Sequence, residues 1–246
     1  MRGHRRLIPF FVAAFLVAGC GGGGDDGADA GGTVVPGPGA PTTAAPAPTP
    51  TTESPMAAKA RAAVFQTGDF PPGFQPQPEE PGQGLNIEGL WGELTRCLGV
   101  ENTAQRTGMA SSPTFLRGLA TQARVTVEYT SDASAQAIAA ALAGPRFQSC
   151  ANDAFNADVK RSAPEGGVPG PVAVAPLAAP PVVTSKISAF RITVTINLDE
   201  LKVPLFQDFL VAFEKGAVVR MFFLNPGSEF PPDLRNTLVQ KVLSRV

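Results

Sequence analysis

The sequence predicts an α+β fold: a mainly antiparallel sheet flanked by helices, in a single domain after a disordered tether. Three observations predict it. Residues 187–198 alternate, with Phe190, Ile192, Val194, Ile196 and Leu198 against Arg191, Thr193, Thr195 and Asn197, which is the period of two that a strand imposes. Two apolar stretches, 206–213 and 217–224, flank Glu214-Lys215-Gly216, a tight hairpin in which glycine adopts positive φ easily. Helical spacing recurs before, between and after the strands, at 87–98, at 133–160 and from Pro231 to the end.

Taken in order, 57–65 reads as a short helix ended by Gly68 and the turn Phe70-Pro71-Pro72-Gly73-Phe74, and 75–84 as a Pro/Gly-rich loop. Residues 87–98 place Ile87, Leu90, Trp91, Leu94 and Leu98 on one helical face, with Cys97 near the end. A strand is expected over 114–119 and a clearer one over 123–130. In the latter Val125, Val127 and Tyr129 alternate with Arg124, Thr126 and Glu128, the pattern of a half-buried strand. Ser131-Asp132 caps a helix over 133–143 and Gly144-Pro145 breaks it. A second helix over 146–160 lines up Phe147, Cys150, Ala151, Ala154 and Phe155. Residues 163–181, dense in proline and glycine, read as a long structureless segment, either functional or a tolerated surface insertion. Its Val172, Val174 and Leu177 would let it lie against the domain. The stretches 206–213 and 217–224 are apolar on both faces and read as central strands. The last helix carries Leu234, Leu238, Val242 and Val246 on one side.

The N-terminus carries an address. Arg2, Arg5 and Arg6 precede the apolar run 7–17, followed by Val17-Ala18-Gly19-Cys20, the layout of a secretory signal. The run is shorter than the roughly 20 residues a spanning helix requires. Small residues directly before Cys20 resemble a bacterial lipobox, so residues 1–19 read as a lipoprotein signal peptide and Cys20 as the lipidated residue, an anchor to the membrane. The alternative is an ordinary secretory signal beside a cysteine. Residues 20–55 then read as the disordered Gly/Pro/Thr/Ala tether, with almost no large apolar side chain to bury. Residues 56–246 form the domain.

Cleavage before Cys20 would remove three arginines and His4, shifting the formal charge from −1 to −4. The remaining chain would have no histidine, which excludes Ser-His-Asp and Cys-His hydrolases and removes the commonest metal ligand. A mildly acidic chain without a basic run offers no footprint for nucleic acid. Of the three cysteines, lipidation of Cys20 leaves Cys97 and Cys150. Outside the cytosol such a pair is most simply a disulfide. Two buried free thiols are the other reading.

The order of parts, with Phe70-Pro71-Pro72-Gly73-Phe74, Phe147-Gln-Ser-Cys150 and the ending 216–227, resembles the extracellular sensor domain of PknH-type receptor kinases and similar actinobacterial lipoproteins. The resemblance covers about residues 56–246. It implies an antiparallel sheet with flanking helices, a ligand-binding cleft and two disulfides; this chain has cysteines for one.

The expected function is a membrane-anchored extracytoplasmic lipoprotein acting as a non-catalytic ligand-binding or sensor module, without a cofactor. Its ligand would be a small molecule, a lipid or a cell-wall fragment. An envelope lipid carrier and a protein-interaction subunit of an envelope complex are the alternatives. Carboxylates at Glu128, Asp153, Asp158, Asp199, Glu200, Asp208 and Glu214 could in principle do acid–base chemistry on sugar, but no two share a recognisable setting. Asp208 and Glu214 are expected to be solvated. Gly-x-Ser-x-Gly, a glycine-rich phosphate loop and a metal-ligand cluster are absent from the sequence.

Overall fold

The computed structural model describes residues 53–77, 87–100, 106–118, 121–162, 168–181, 186–198 and 201–246. The signal peptide, Cys20 and most of the tether expected from the sequence lie outside the described residues, as do Asp199 and Glu200.

Among the described residues the strands are β1 (Phe74–Gln77), β2 (Gly108–Ser111), β3 (Thr114–Arg117), β4 (Thr121–Tyr129), β5 (Val168–Pro169), β6 (Ala173–Pro176), β7 (Lys186–Leu198), β8 (Leu201–Glu214) and β9 (Ala217–Pro226). They form one sheet in the order β1-β3-β4-β9-β8-β7-β5, with β2 also on β4 and β6 also on β7. Every pairing is antiparallel. The helices are α1 (Pro55–Ala63), α2 (Ile87–Leu98), α3 (Asp132–Leu142), α4 (Phe147–Ser162) and α5 (Pro232–Leu243). The fold is mixed α+β, as the patterning predicts.

The three longest strands, β7, β8 and β9, follow one another through the chain. Between β8 and β9, Lys215 and Gly216 turn with φ of 45° and 76°, the positive pair that a two-residue hairpin matching strand twist requires. β9 then pairs with β4 from Gln122↔Leu224 to Tyr129↔Ala217. This seam joins the later strands to the earlier ones.

Both faces of the sheet are covered. On one, α1 and α5 pack with Val64, Phe65, Phe115, Val125, Val127, Leu210, Val219, Met221, Phe223 and Phe230 into one core. On the other, α2, α3 and α4 pack on Phe190, Ile192, Phe209, Val211, Val218, Phe222 and Leu224. Phe190 is the centre of an aromatic row, with ring centroids 4.9 Å from Phe147, 6.3 Å from Phe155 and 5.1 Å from Phe209. Successive β7 residues point to opposite faces, so the alternation in the sequence selects Phe190, Ile192, Val194 and Ile196 for the α2–α4 side.

The structure corrects several readings. The expected loop at 75–84 begins with β1, whose Pro76 is accommodated at the sheet's edge. β2 has no counterpart in the sequence reading. It exists because β4 offers an edge and because Gly108 admits the start of α1: a Cβ at Gly108 would stand 2.5 Å from the Ala57 nitrogen. Within 163–181, β5 and β6 extend the sheet beside β7. Val172 and Val174 rest against the α2–α4 core and Leu177 against the opposite one. The strand expected to be half-buried, β4, is covered on both sides: Thr126 and Glu128 are as buried as Val125 and Val127.

On the α5 side, charge fastens the helix. Asp208, expected in solvent, is buried and takes a two-pronged bond from Arg191 (Nε to Oδ1 2.7 Å, Nη2 to Oδ2 3.0 Å) and another from Arg235 of α5. Further along, Arg245 donates to the Val64 carbonyl at 2.9 Å and to Asp69, while Lys241 donates to the Asp69 carbonyl at 2.8 Å. Burial works to raise the Asp69 carboxyl. The hydrogen bonds from Arg245 and the Gln66 backbone N–H, with the charges of Arg245 and Lys241, outweigh it and hold Asp69 below the ordinary range. A lowered carboxylate contributes stability above its unfolded value, about pH 3.9, and loses that contribution as pH falls through its folded value. Asp69→Asn should therefore cost about 2 kcal/mol at pH 7, typical of hydrogen bonds to charged groups. The gap from wild type should close in acid. Urea midpoints from pH 7 down to 3 check this, and a gap that stays constant would contradict it.

Candidate functional site

The layer of α2, α3 and α4 is where unusual chemistry collects. α2 forms because its apolar residues fall on one face, burying Ile87, Leu90, Trp91 and Leu94 against the sheet. A disulfide joins its Cys97 to Cys150 of α4, with the Cα atoms 5.6 Å apart. The pairing read from the cysteine count is thus present, and it pins helix to helix. Arg146 reinforces the junction by donating to the Cys97 carbonyl at 2.6 Å. Beside the disulfide lies a shallow recess of about 190 Å³ lined by Glu93, Cys97, Cys150, Asp153 and Ala154. Glu93 is already engaged by Arg161 of α4 at 2.5 Å. Arg161 also donates to Asp158 Oδ1 at 3.2 Å. Burial raises the Asp158 carboxyl above its usual value despite this bond.

A second cluster lies where α2 crosses β4 and β9. Arg220 of β9 is fully buried and points toward α2. Its Nη2 donates to Glu128 Oε2 at 3.3 Å, and its Nη1 stands 3.1 Å from Glu88 Oε2. Its guanidinium carbon sits 5.1 Å from the centroid of the Trp91 ring, a cation–π contact on the face of the indole. Glu128 is buried and is reached by Arg106 at 3.2 Å. Glu88 Oε1 accepts from the Thr126 hydroxyl at 3.0 Å, and Thr126 shares a 2.9 Å hydrogen bond with Ser111. The cluster opens outward through two half-exposed side chains, Arg106 at 34% and Glu88 at 37%. Burial lowers the Arg220 guanidinium from its ordinary value. The Glu88 and Glu128 charges oppose that shift and recover part of it, while Arg106 adds to it.

Of the carboxylates named from the sequence, Glu128 and Asp208 are buried against arginines of other elements, Asp158 is buried against Arg161 of its own helix, and Asp153 lines the recess. Sequence reasoning missed Arg220, Glu88 and Arg106. The signal for Arg220 was present: it is the single charge inside the apolar run Ala217-Val-Val-Arg-Met-Phe-Phe-Leu224, and a charge in a strand covered on both faces is rare unless paired. Among the described residues no group of three or more His, Cys, Asp and Glu side chains is arranged to hold a metal ion. No described helix is long and apolar enough to cross a membrane. Comparison of the chain with protein-family models, with curated proteins and with solved structures found no match.

Proposed function

We propose that this chain is an extracytoplasmic lipoprotein anchored to the cell membrane through Cys20, whose domain is a non-catalytic ligand-binding or sensor module of the PknH-like kind. The observation that carries the binding part is the Arg220 cluster. A fully buried guanidinium weakens a fold unless its partners are well placed, and such perturbed groups concentrate where proteins meet ligands. Here the buried cation is bordered by two partly exposed charges, Arg106 and Glu88. The disulfide supports the compartment, since such bonds persist where the medium is oxidising. The non-catalytic reading is supported by the engagement of Glu128, Asp158 and Asp208 with arginines, which ties up the carboxylates that acid–base work would use. A lipid carrier calls for a large apolar cavity and an interaction subunit for an exposed apolar patch. Neither is favoured by an observation on the described residues, where Met56 is the one large apolar side chain that is exposed.

Two measurements test the reading together. Membrane fractionation with intact-mass analysis should find wild-type chain in the membrane carrying acyl mass on Cys20, and Cys20→Ala released. Thermal shift and native mass spectrometry against envelope lipids and cell-wall fragments should find a ligand that stabilises the domain, by about 2.7 kcal/mol at a hundredfold excess over Kd. A Cys20→Ala variant that stays in the membrane fraction would overturn the anchor. Silence across all ligands would overturn the module.

A further inference from the structure

The position held by the Glu88 carboxylate has the makings of an oxyanion receptor. One of its oxygens takes a hydroxyl hydrogen bond from Thr126 at 3.0 Å and the other faces the Arg220 guanidinium at 3.1 Å. Receptors for carboxylate and phosphate groups are built from such parts, a fixed guanidinium with hydroxyl donors. The guanidinium is immobilised: it lies on Trp91, is tied to Glu128 and has no freedom to reach solvent. Preorganisation of this kind removes the ordering cost that binding otherwise meets.

The two carboxylates around Arg220 differ. Glu128 is buried on β4 and belongs to the interior. Glu88 sits in the first turn of α2 with over a third of its side chain in solvent. Its bonds rotate, so it can leave for water without disturbing the backbone. Arg220 Nη1 meets Glu88 Oε2 at 3.1 Å, while Nε is buried and makes no hydrogen bond. The resident carboxylates therefore leave one guanidinium donor unused. Arg106 stands at the opening, 34% exposed and anchored to Glu128, where it adds positive charge to the approach.

We propose that this position binds an external oxyanion, the carboxylate or phosphate group of a small ligand, and that Glu88 is its built-in competitor. The inference rests on the ligand-binding reading above and gives that reading a chemical class. Exchange is charge-balanced: the ligand anion takes the Thr126 hydroxyl and the Arg220 charge as the Glu88 carboxylate swings out into water. No bond is made or broken.

The test titrates the full chain in detergent with inorganic phosphate and, separately, with acetate, by calorimetry at fixed ionic strength. Glu88→Gln, which keeps the shape and removes the competing charge, should bind at least one probe about tenfold more tightly than wild type, within the usual span of coupling between sites. Arg106→Gln should bind about tenfold more weakly, because the positive charge at the opening is lost. Preference for phosphate over acetate, or the reverse, identifies which anion the ligand carries. Glu88→Gln binding no more tightly than wild type would overturn the proposal. An affinity indifferent to both substitutions would also overturn it, by placing the anion elsewhere. If neither probe binds any variant while a neutral cell-wall fragment does, the anion class falls and the module reading stands. If nothing binds, both fall.

Discussion

Reduction of the Cys97–Cys150 disulfide, or its replacement by Cys97→Ala with Cys150→Ala, should lower stability by about 4 kcal/mol. The figure is the chain-entropy estimate for a link spanning 53 residues. The closed loop contains β2, β3, β4 and α3, so opening it frees a large part of the sheet's earlier half in the unfolded chain. The native state suffers too: Cys150 is buried in the α2–α4 core and Cys97 packs against that core. For a domain of this size the loss corresponds to roughly 8–16 °C in melting temperature. Calorimetric scans of oxidised and reduced chain check the prediction. A shift of one or two degrees would show that the helices hold each other without the bond.

Arg220→Met should be comparably costly, about 3–5 kcal/mol, because it takes from buried Glu128 the cation that faces it inside the core. The sign of a second substitution is more telling than the size of the first. Arg220→Met combined with Glu128→Leu removes both charges and should recover most of the loss, since a buried ion pair is worth little against apolar side chains of similar volume. The two changes should be strongly non-additive in a double-mutant cycle read from urea unfolding, as expected for residues in contact. Additive losses would mean that Glu128 draws its compensation from elsewhere. Recovery of stability without recovery of anion binding would separate the two duties assigned to Arg220.

The framework was legible where one property dominated. β7 could be read from its alternation because its two faces meet different environments, and α2, α4 and α5 because their apolar stripes are regular. β4 shows the limit. Its alternation is real, yet Thr126 and Glu128 are buried, because their partners Glu88 and Arg220 come from α2 and β9. Compensation across such distances leaves no local trace. Glu88 looks in sequence like any acidic residue in a helix's first turn, where the dipole welcomes it. Likewise β2 and β6 have weak strand composition, and their pairing is imposed by β4 and β7. Asp208 was expected in solvent since nothing near it announces Arg235, which arrives on α5.

The β4–β9 seam has a consequence in time. Its partners stand between 88 and 102 residues apart in sequence, so every hydrogen bond in it closes a long loop. Topologies rich in such contacts fold slowly. A chain emerging from its N-terminus completes β1 to β4 well before β9 exists, and until then β4 presents an open edge able to pair with a neighbouring chain. The interval between the two halves is therefore the period in which this molecule is most exposed to aggregation.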